Sequence, residues 1–263
     1  MMAFRDSIPV KTRHEIEAMR EAARHVAEIL LELRELVQPG ITTAELDEHA
    51  ARAIERRGLR SSFLGYGPQG LPGYPATLCT SVNEEIVHGI PGPRELKEGD
   101  IIGLDFGVIA GGFHGDSAVT VPVGRVDPEV ERLLATTRSA LYRGIEQMVP
   151  GRRLSDIGHA IQTEAEGAGF SVVRSFVGHG IGRKLHEPPQ IPNYGPPGKG
   201  PRLRPGMVFA IEPMVNVGGP GVRMLEDEWT AVTEDGSLSA HFEHTVLITE
   251  DGPEILTRVE GSH

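Results

Sequence analysis

Ile101-Ile102-Gly103-Leu104-Asp105-Phe106-Gly107, followed by Phe113-His114-Gly115-Asp116, decides how the chain folds. Ile101 to Leu104 is a short apolar run opened by Gly99-Asp100, the pattern of a buried strand. Asp105 closes that run. Ala110-Gly111-Gly112 is a turn signal, and Ala118-Val119-Thr120-Val121 is a second extended run beyond Asp116. The pattern predicts a hairpin with Asp105 and Asp116 side by side on neighbouring strands. His114 is read as facing away from Asp116. Two adjacent buried carboxylates repel unless they share a proton or a metal. From this stretch alone two readings stand open: a turn aspartate beside a hydrogen-bonded strand aspartate, or a metal site.

Composition narrows the classes. A chain of 263 residues supports one large domain or two small ones. An apolar fraction of 39% with 24% charged residues is that of a globular protein, and 33 glycines with 20 prolines favour turns and strand ends over a helical bundle. The net charge of -11 argues against nucleic acid or an anionic membrane surface as the partner, and suits a cation site. A single cysteine, Cys79, leaves no intrachain disulfide and no cysteine-rich zinc site. Met1-Met2-Ala3-Phe4-Arg5-Asp6 has no signal-peptide apolar core, and no run approaches membrane-spanning length, so a cytoplasmic protein is expected.

In chain order, residues 1–11 read as an N-terminal segment. Thr12-Arg13-His14-Glu15 is a capping box, followed by an amphipathic helix ending at Pro39-Gly40. Thr42-Thr43-Ala44-Glu45 opens a second helix running to about Gly58. Residues 61–75 form a long loop presenting Phe63, Tyr66 and Tyr74 to whatever it covers. Short strands are expected at Leu78 to Val82 and Glu85 to Val87. The pattern then restarts. Pro128 opens a helix ended by Pro150-Gly151, and Ser155-Asp156 caps another ending near Gly169. Leu96 to Asp105 matches Leu203 to Glu212, and His88-Gly89-Ile90 matches His179-Gly180-Ile181. The second half therefore reads as a diverged copy of the first, with halves at about 12–124 and 125–252, one domain over 12–255, and a tail over 256–263.

The repeat gives each aspartate a partner. Glu212 occupies the place of Asp105, and Glu243, opening Thr245-Val246-Leu247-Ile248, that of Asp116. Four carboxylates converging on the seam between halves need cations to stay ionised. His179, flanked by glycines, adds an imidazole, and five such ligands suit two metals. His88 and His186 are open between hydrogen-bonded turn residues and donors to substrate or an oxyanion. His241 shares the face of Glu243 while His244 alternates away; both are read as structural.

Taken together, His88-Gly89-Ile90-Pro91, Asp105-Phe106-Gly107, Phe113-His114-Gly115-Asp116-Ser117, Gly178-His179-Gly180-Ile181-Gly182, His186-Glu187-Pro188-Pro189, Ile211-Glu212-Pro213-Met214 and Ser239 to Thr245 resemble the type I methionine aminopeptidases. The resemblance covers residues 10 to 255. It implies an α/β (α+β) pita-bread fold, itself duplicated, with pseudo-twofold halves and a curved antiparallel sheet flanked by helices. The implied activity is removal of the initiator methionine from nascent chains when the next residue is small. Asp105, Asp116, His179, Glu212 and Glu243 then correspond to the ligands of two divalent ions (Co, Mn, Fe or Zn), with Asp116 and Glu243 bridging. By the same resemblance Glu212 moves the proton of a water, His186 holds the carbonyl or oxyanion, and His88 attends the substrate amide. Phe63, Tyr66, Tyr74, Cys79 and Trp229 would wall the methionine pocket, where aromatics and a soft thiol suit a thioether. A monomer meeting nascent N-terminal peptides, with transient contact at the ribosome, is the implied way of working. Two departures concern pocket shape: Leu185 stands where an aromatic is expected, and Gly67-Pro68-Gln69-Gly70-Leu71 is longer than expected.

The rival readings are an Xaa-Pro aminopeptidase or prolidase of the same fold, a non-catalytic binding protein on that fold, and a two-metal phosphoesterase. The first usually carries an extra N-terminal domain. The second usually loses metal ligands. The third needs basic groups near the site, and the motif segments hold no such cluster.

Overall fold

The computed structural model describes residues 8–67 and 72–258. Residues 1–7 of the N-terminal segment, 68–71 of the long loop, and 259–263 of the tail lie outside the described residues. Two capped helices open the chain. Thr12 and Glu15 cap α1, Arg13–Leu36, reciprocally, and Thr42 and Glu45 do the same for α2, Thr43–Arg56. The buried stripe of α1, including Met19, Val26, Ile29 and Leu33, recurs at helical spacing.

Five strands follow: β1 (Arg60–Ser61), β2 (Leu78–Val82), β3 (Glu85–Val87), β4 (Ile101–Ala110) and β5 (Phe113–Pro122). The β4–β5 hairpin turns at Gly111 and Gly112, whose φ angles of 57° and 80° lie in the left-handed region that glycine enters without strain. The strands are longer than the apolar runs suggest. β4 continues through Phe106-Gly107-Val108-Ile109 to Ala110, so Asp105 lies at its middle, not its end. A strand covered on both faces shows no alternation to mark its extent. On one edge β4 pairs with β2 and β1, and on the other with β5.

The second half begins with α3 (Pro128–Ile145) and α4 (Leu154–Gly167). The cap of α4 differs from the sequence reading. The N-cap is Arg153, whose N–H donates to Asp156 Oδ2 at 2.9 Å, so Asp156 closes the first turn from inside. Ten strands complete the chain: β6 (Ser171–Val172), β7 (Gly178–Gly180), β8 (Glu187–Ile191), β9 (Val208–Ile211), β10 (Met214–Asn216), β11 (Val222–Met224), β12 (Ala231–Thr233), β13 (Ser239–His241), β14 (His244–Ile248) and β15 (Pro253–Ile255). A five-stranded sheet runs β15-β14-β9-β7-β8. β13-β10-β6 and β11-β12-β3 form two further three-stranded sheets.

The duplication is visible in the cores. Val26, Ile29, Leu46 and Ile54 of α1 and α2 pack on Leu78, Ile102 and Leu104 of the first half. Leu133, Leu141, Ile157 and Ile161 of α3 and α4 pack on Ile191, Phe209 and Val215 of the second. This is a mixed α/β fold of helices over antiparallel sheet, built twice. The two carboxylate strands of the second half, β9 and β14, pair antiparallel as β4 and β5 do, but β10 to β13 intervene in sequence. Leu256 and Thr257, within the span read as tail, are buried. Leu256 N–H donates to Thr245 O at 2.9 Å, and Thr257 Oγ1 accepts from Thr245 N–H at 3.1 Å.

Candidate metal centre and cavity

The site is built from strand register. Directly opposed residues on paired strands share a face. Cys79 on β2 opposes Asp105 on β4, and Asp105 opposes Ala118 on β5. Ala118 in turn exchanges backbone hydrogen bonds with Glu243, at the entry to β14: Glu243 N–H to Ala118 O at 2.9 Å, and Ala118 N–H to Glu243 O at 3.4 Å. His244 opposes Ile211, which sets Glu243 against Glu212 one step beyond β9. One row across both halves thus carries Cys79, Asp105, Ala118, Glu243 and Glu212. Asp116 lies two residues from Ala118 on the same face, opposite Gly107. His179 on β7 opposes Ala210, two residues from Glu212.

Asp105 and Asp116 are therefore diagonal neighbours rather than direct partners. Gly107 keeps the space between them open: a Cβ there would stand 3.2 Å from Asp116 Oδ1 and 3.0 Å from both Phe63 Cε1 and Ser62 Cβ. Threonine hydroxyls stitch the seam on either side of the Ala118–Glu243 pair. Thr245 Oγ1 accepts from Asp116 N–H at 3.2 Å and donates to Asp116 O at 2.8 Å, and Thr120 Oγ1 does the same for His241 at 2.8 Å each way.

Ligand atoms of Asp116, His179 and Glu243 lie within 4.8 Å of one another, all three residues buried. Glu212 adjoins them, with Oε1 3.4 Å from His179 Nε2. Burial raises the Asp105 carboxyl to about 7. Burial, then the neighbouring carboxylates, push Asp116, Glu212 and Glu243 well above the usual carboxylate range. Asp105 Oδ1, Asp116 Oδ1 and Glu243 Oε1 are buried without a hydrogen-bond partner. His179 Nδ1 lies 3.0 Å from the Gly180 carbonyl, which only accepts. The proton is therefore on Nδ1, and the bare Nε2 faces Asp116 and Glu212 at 3.9 and 3.4 Å. Burial, with His186 beside it, lowers this imidazole to about 3, so it is neutral. Carboxyls crowded this closely beside an imidazole lone pair stay ionised together only with a compensating positive charge, and a divalent cation is what such a donor set fits.

The five residues expected to hold metal, Asp105, Asp116, His179, Glu212 and Glu243, line one small cavity together with His88, His186, Phe63, Tyr66, Tyr74, Cys79 and Trp229. Phe63 and Tyr74 are buried, whereas Tyr66 is 38% exposed at the rim. Tyr74 and Trp229 meet edge to face at 5.3 Å, and Trp229 meets His88 the same way at 6.2 Å. Leu185 contributes an aliphatic wall. The Tyr66 hydroxyl lies 2.5 Å from His186 Nδ1. Burial raises that phenol and lowers His186, so both are neutral, and a Tyr66 hydroxyl donating to Nδ1 would leave the His186 proton on Nε2. Burial lowers His88 to about 4.

Two histidines depart from the sequence reading. His114 is two residues from Asp116 in β5, and strand alternation puts residues two apart on the same face. Its Nδ1 bonds Ser62 Oγ at 2.9 Å. His241, read as structural, has Nε2 buried without a hydrogen-bond partner, 3.9 Å from Glu212 Oε2. Its spacing of two from Glu243 was the available signal.

Buried carboxylates and one imidazole at the seam of a duplicated α/β fold, beside an apolar cavity, define a metal-dependent hydrolase of the pita-bread type. The profile of metallopeptidase family M24 matches residues 17–250. Methionine aminopeptidase 1 of Bacillus subtilis is 56% identical over 249 residues, 95% of this chain and 98% of that relative. The crystal structure of methionine aminopeptidase from Thermotoga maritima superposes with a TM-score of 0.93 at 48% identity, covering 96% of this chain and all of that one. The prolidase from Pyrococcus horikoshii shares the fold alone, at 19% identity and a TM-score of 0.75, and this chain covers 64% of it. The chain belongs to metallopeptidase family M24 and, within it, to the methionine aminopeptidases.

Proposed function

We propose that the chain removes the N-terminal methionine from nascent proteins whose second residue is small, using two divalent ions held by Asp105, Asp116, His179, Glu212 and Glu243. The observation carrying this is the convergence of these groups, with orphaned carboxylate oxygens, beside an aromatic and thiol-walled cavity. Asp116 and Glu243, grouped tightly with His179, are the candidates to be shared between both ions. Carboxylate and imidazole donors accept Co, Mn, Fe or Zn. Bound ions supply Lewis acidity, polarising a carbonyl and lowering the pKa of water.

The chain's own groups do the rest. The Glu212 carboxylate takes a proton from the attacking water and returns it to the leaving amine. His186, with its proton on Nε2 and Nδ1 occupied by Tyr66, donates to the scissile carbonyl oxygen as it gains charge. His88 hydrogen-bonds the substrate amide. Phe63, Tyr66, Tyr74, Cys79 and Trp229 enclose the methionine side chain, Cys79 remaining a neutral thiol because burial raises it. We further read the working form as a cytoplasmic monomer that meets its substrates as they leave the ribosome; no helix among the described residues is long and apolar enough to cross a membrane.

Metal-reconstituted protein offered Met-Ala-Ser, Met-Leu-Ser and an Ala-Pro peptide tests this. Methionine release from Met-Ala-Ser alone is expected. Preferential cleavage of the Ala-Pro bond assigns it to the Xaa-Pro peptidases, and no turnover with any of the four metals makes it a binding protein.

A further inference from the structure

The residues preceding α1 run beside the loop that carries His186. Lys11 N–H donates to Gly206 O at 2.7 Å, fixing this segment against the chain that enters β9. The Lys11 ammonium is turned inward and donates to Glu187 Oε2, with the two side chains only 6% and 11% exposed. Glu187 Oε1 accepts from the backbone N–H groups of Arg183 at 2.8 Å and Lys184 at 3.3 Å. Gly182 N–H closes on Lys184 O at 3.1 Å, and Gly182 O accepts from His114 N–H at 2.8 Å. A Cβ on Gly182 would stand 2.2 Å from Lys11 Nζ and 2.7 Å from Glu187 Oε1, so the loop packs directly over the ends of the paired side chains. Residues 182–187 are thus wound around one buried ion pair, and they present Leu185 and His186 to the cavity.

A buried ion pair adds little net stability, because desolvation offsets the attraction. What this pair fixes is geometry. Its partners are 176 residues apart in sequence, and it acts beside the other ties of the loop between β7 and β8: Ile181 N–H to Val208 O, His114 N–H to Gly182 O, Arg183 on Glu15 and Tyr66 on His186. His186 sits at the end of that loop, its ring 4.2 Å from that of His179 and its Nδ1 on Tyr66.

We propose that Lys11 is a positioning residue: through Glu187 it holds the 182–187 loop so that His186 points at the reacting carbonyl and Leu185 at the methionine side chain. This rests on the reading of His186 given above. Displacing a group that meets a developing charge by about an ångström costs up to about a hundredfold in rate.

The test uses Lys11→Met, which leaves Glu187 unpaired, and the double variant Lys11→Met/Glu187→Gln, which removes both charges and recovers stability without restoring the tie. Each is measured for thermal stability, kcat and KM on Met-Ala-Ser, and, in metal-free protein, the imidazole NMR resonances of His186 against exposed His159 as control. The expected result for the double variant is near-native stability, a shifted His186 signal, and kcat down about ten- to a hundredfold with KM changed less. Recovery of kcat together with stability, or an unmoved His186 signal, overturns the proposal. A shifted His186 with unchanged kcat upholds the tie and overturns the role given to His186.

Discussion

Asp105 and Glu243 stand on either side of Ala118 in one row of the sheet, Asp105 opposite it across β4 and β5, and Glu243 joined to it by backbone hydrogen bonds of 2.9 and 3.4 Å. Ala118 belongs to the first half and Glu243 to the second, so this one backbone pair brings the carboxylates of the two halves together. The methyl group between them is the smallest side chain that keeps the strand regular while leaving room for a cation. The cost is a set of like charges with raised pKa values in a buried place. That cost makes the site sensitive to charge, to volume and to metal.

Without metal, Asp105→Asn should be more stable than the native chain at pH 8. Burial raises the folded-state pKa of Asp105 to about 7, far above the ordinary aspartate value of about 4, so its contribution is intact below about 4 and is lost as pH rises through 7. The Asn variant lacks this loss. Its advantage, of about 1 kcal/mol or more, is therefore full above pH 7 and shrinks as pH falls toward 4. Thermal unfolding of chelator-treated proteins across that range measures it; equal melting at pH 8 contradicts the assignment.

Glu212→Gln keeps the shape of the side chain and removes its capacity to take a proton. Turnover of Met-Ala-Ser should fall by at least about a hundredfold while the variant still binds metal. Steady-state kinetics with metal analysis on the same sample decides, and near-native kcat removes Glu212 from proton transfer.

His241 is neutral at working pH, since burial lowers it to about 3, and its Nε2 lies 3.9 Å from Glu212 Oε2. This placement predicts that it helps orient that carboxylate. His241→Leu should lose about tenfold in kcat, whereas His241→Gln, which keeps an N–H donor, should lose less than about threefold. Equal rates for the two variants would leave His241 a packing residue.

Gly107→Ala places a Cβ 3.0 Å from Ser62 and Phe63 and 3.2 Å from Asp116 Oδ1. The crowding should cost about 1–3 kcal/mol and push Asp116 off its neighbours, weakening metal binding as well as folding. Calorimetric titration with Mn2+ beside thermal unfolding separates the two effects. A variant with native metal affinity shows that Asp116 has slack the geometry denies it.

The sequence carried the local signals well. The capping boxes at Thr12 and Thr42, the Gly111-Gly112 turn and the paired apolar strands are written in adjacent residues, and the internal repeat supplied Glu212 and Glu243 as counterparts of Asp105 and Asp116. Other features were hidden for definite reasons. The full length of β4 was invisible because a strand buried on both faces does not alternate. The expectation that His114 faces away from Asp116 has the wrong parity, since residues two apart in a strand share a face. His241 shares its face with Glu243, but its proximity to Glu212 comes from chain segments that only folding brings together, so no local pattern marks that proximity. The Lys11–Glu187 pair, 176 residues apart, leaves no local signature.

The most direct test of the central claim is the number of divalent ions bound per chain, measured by calorimetric titration of metal-free native protein and of Glu243→Ala with Mn2+. The native chain should bind about two ions, and the variant, deprived of the carboxylate proposed to be shared between them, fewer than about one. The same number bound by both proteins would contradict a metal centre built across the seam.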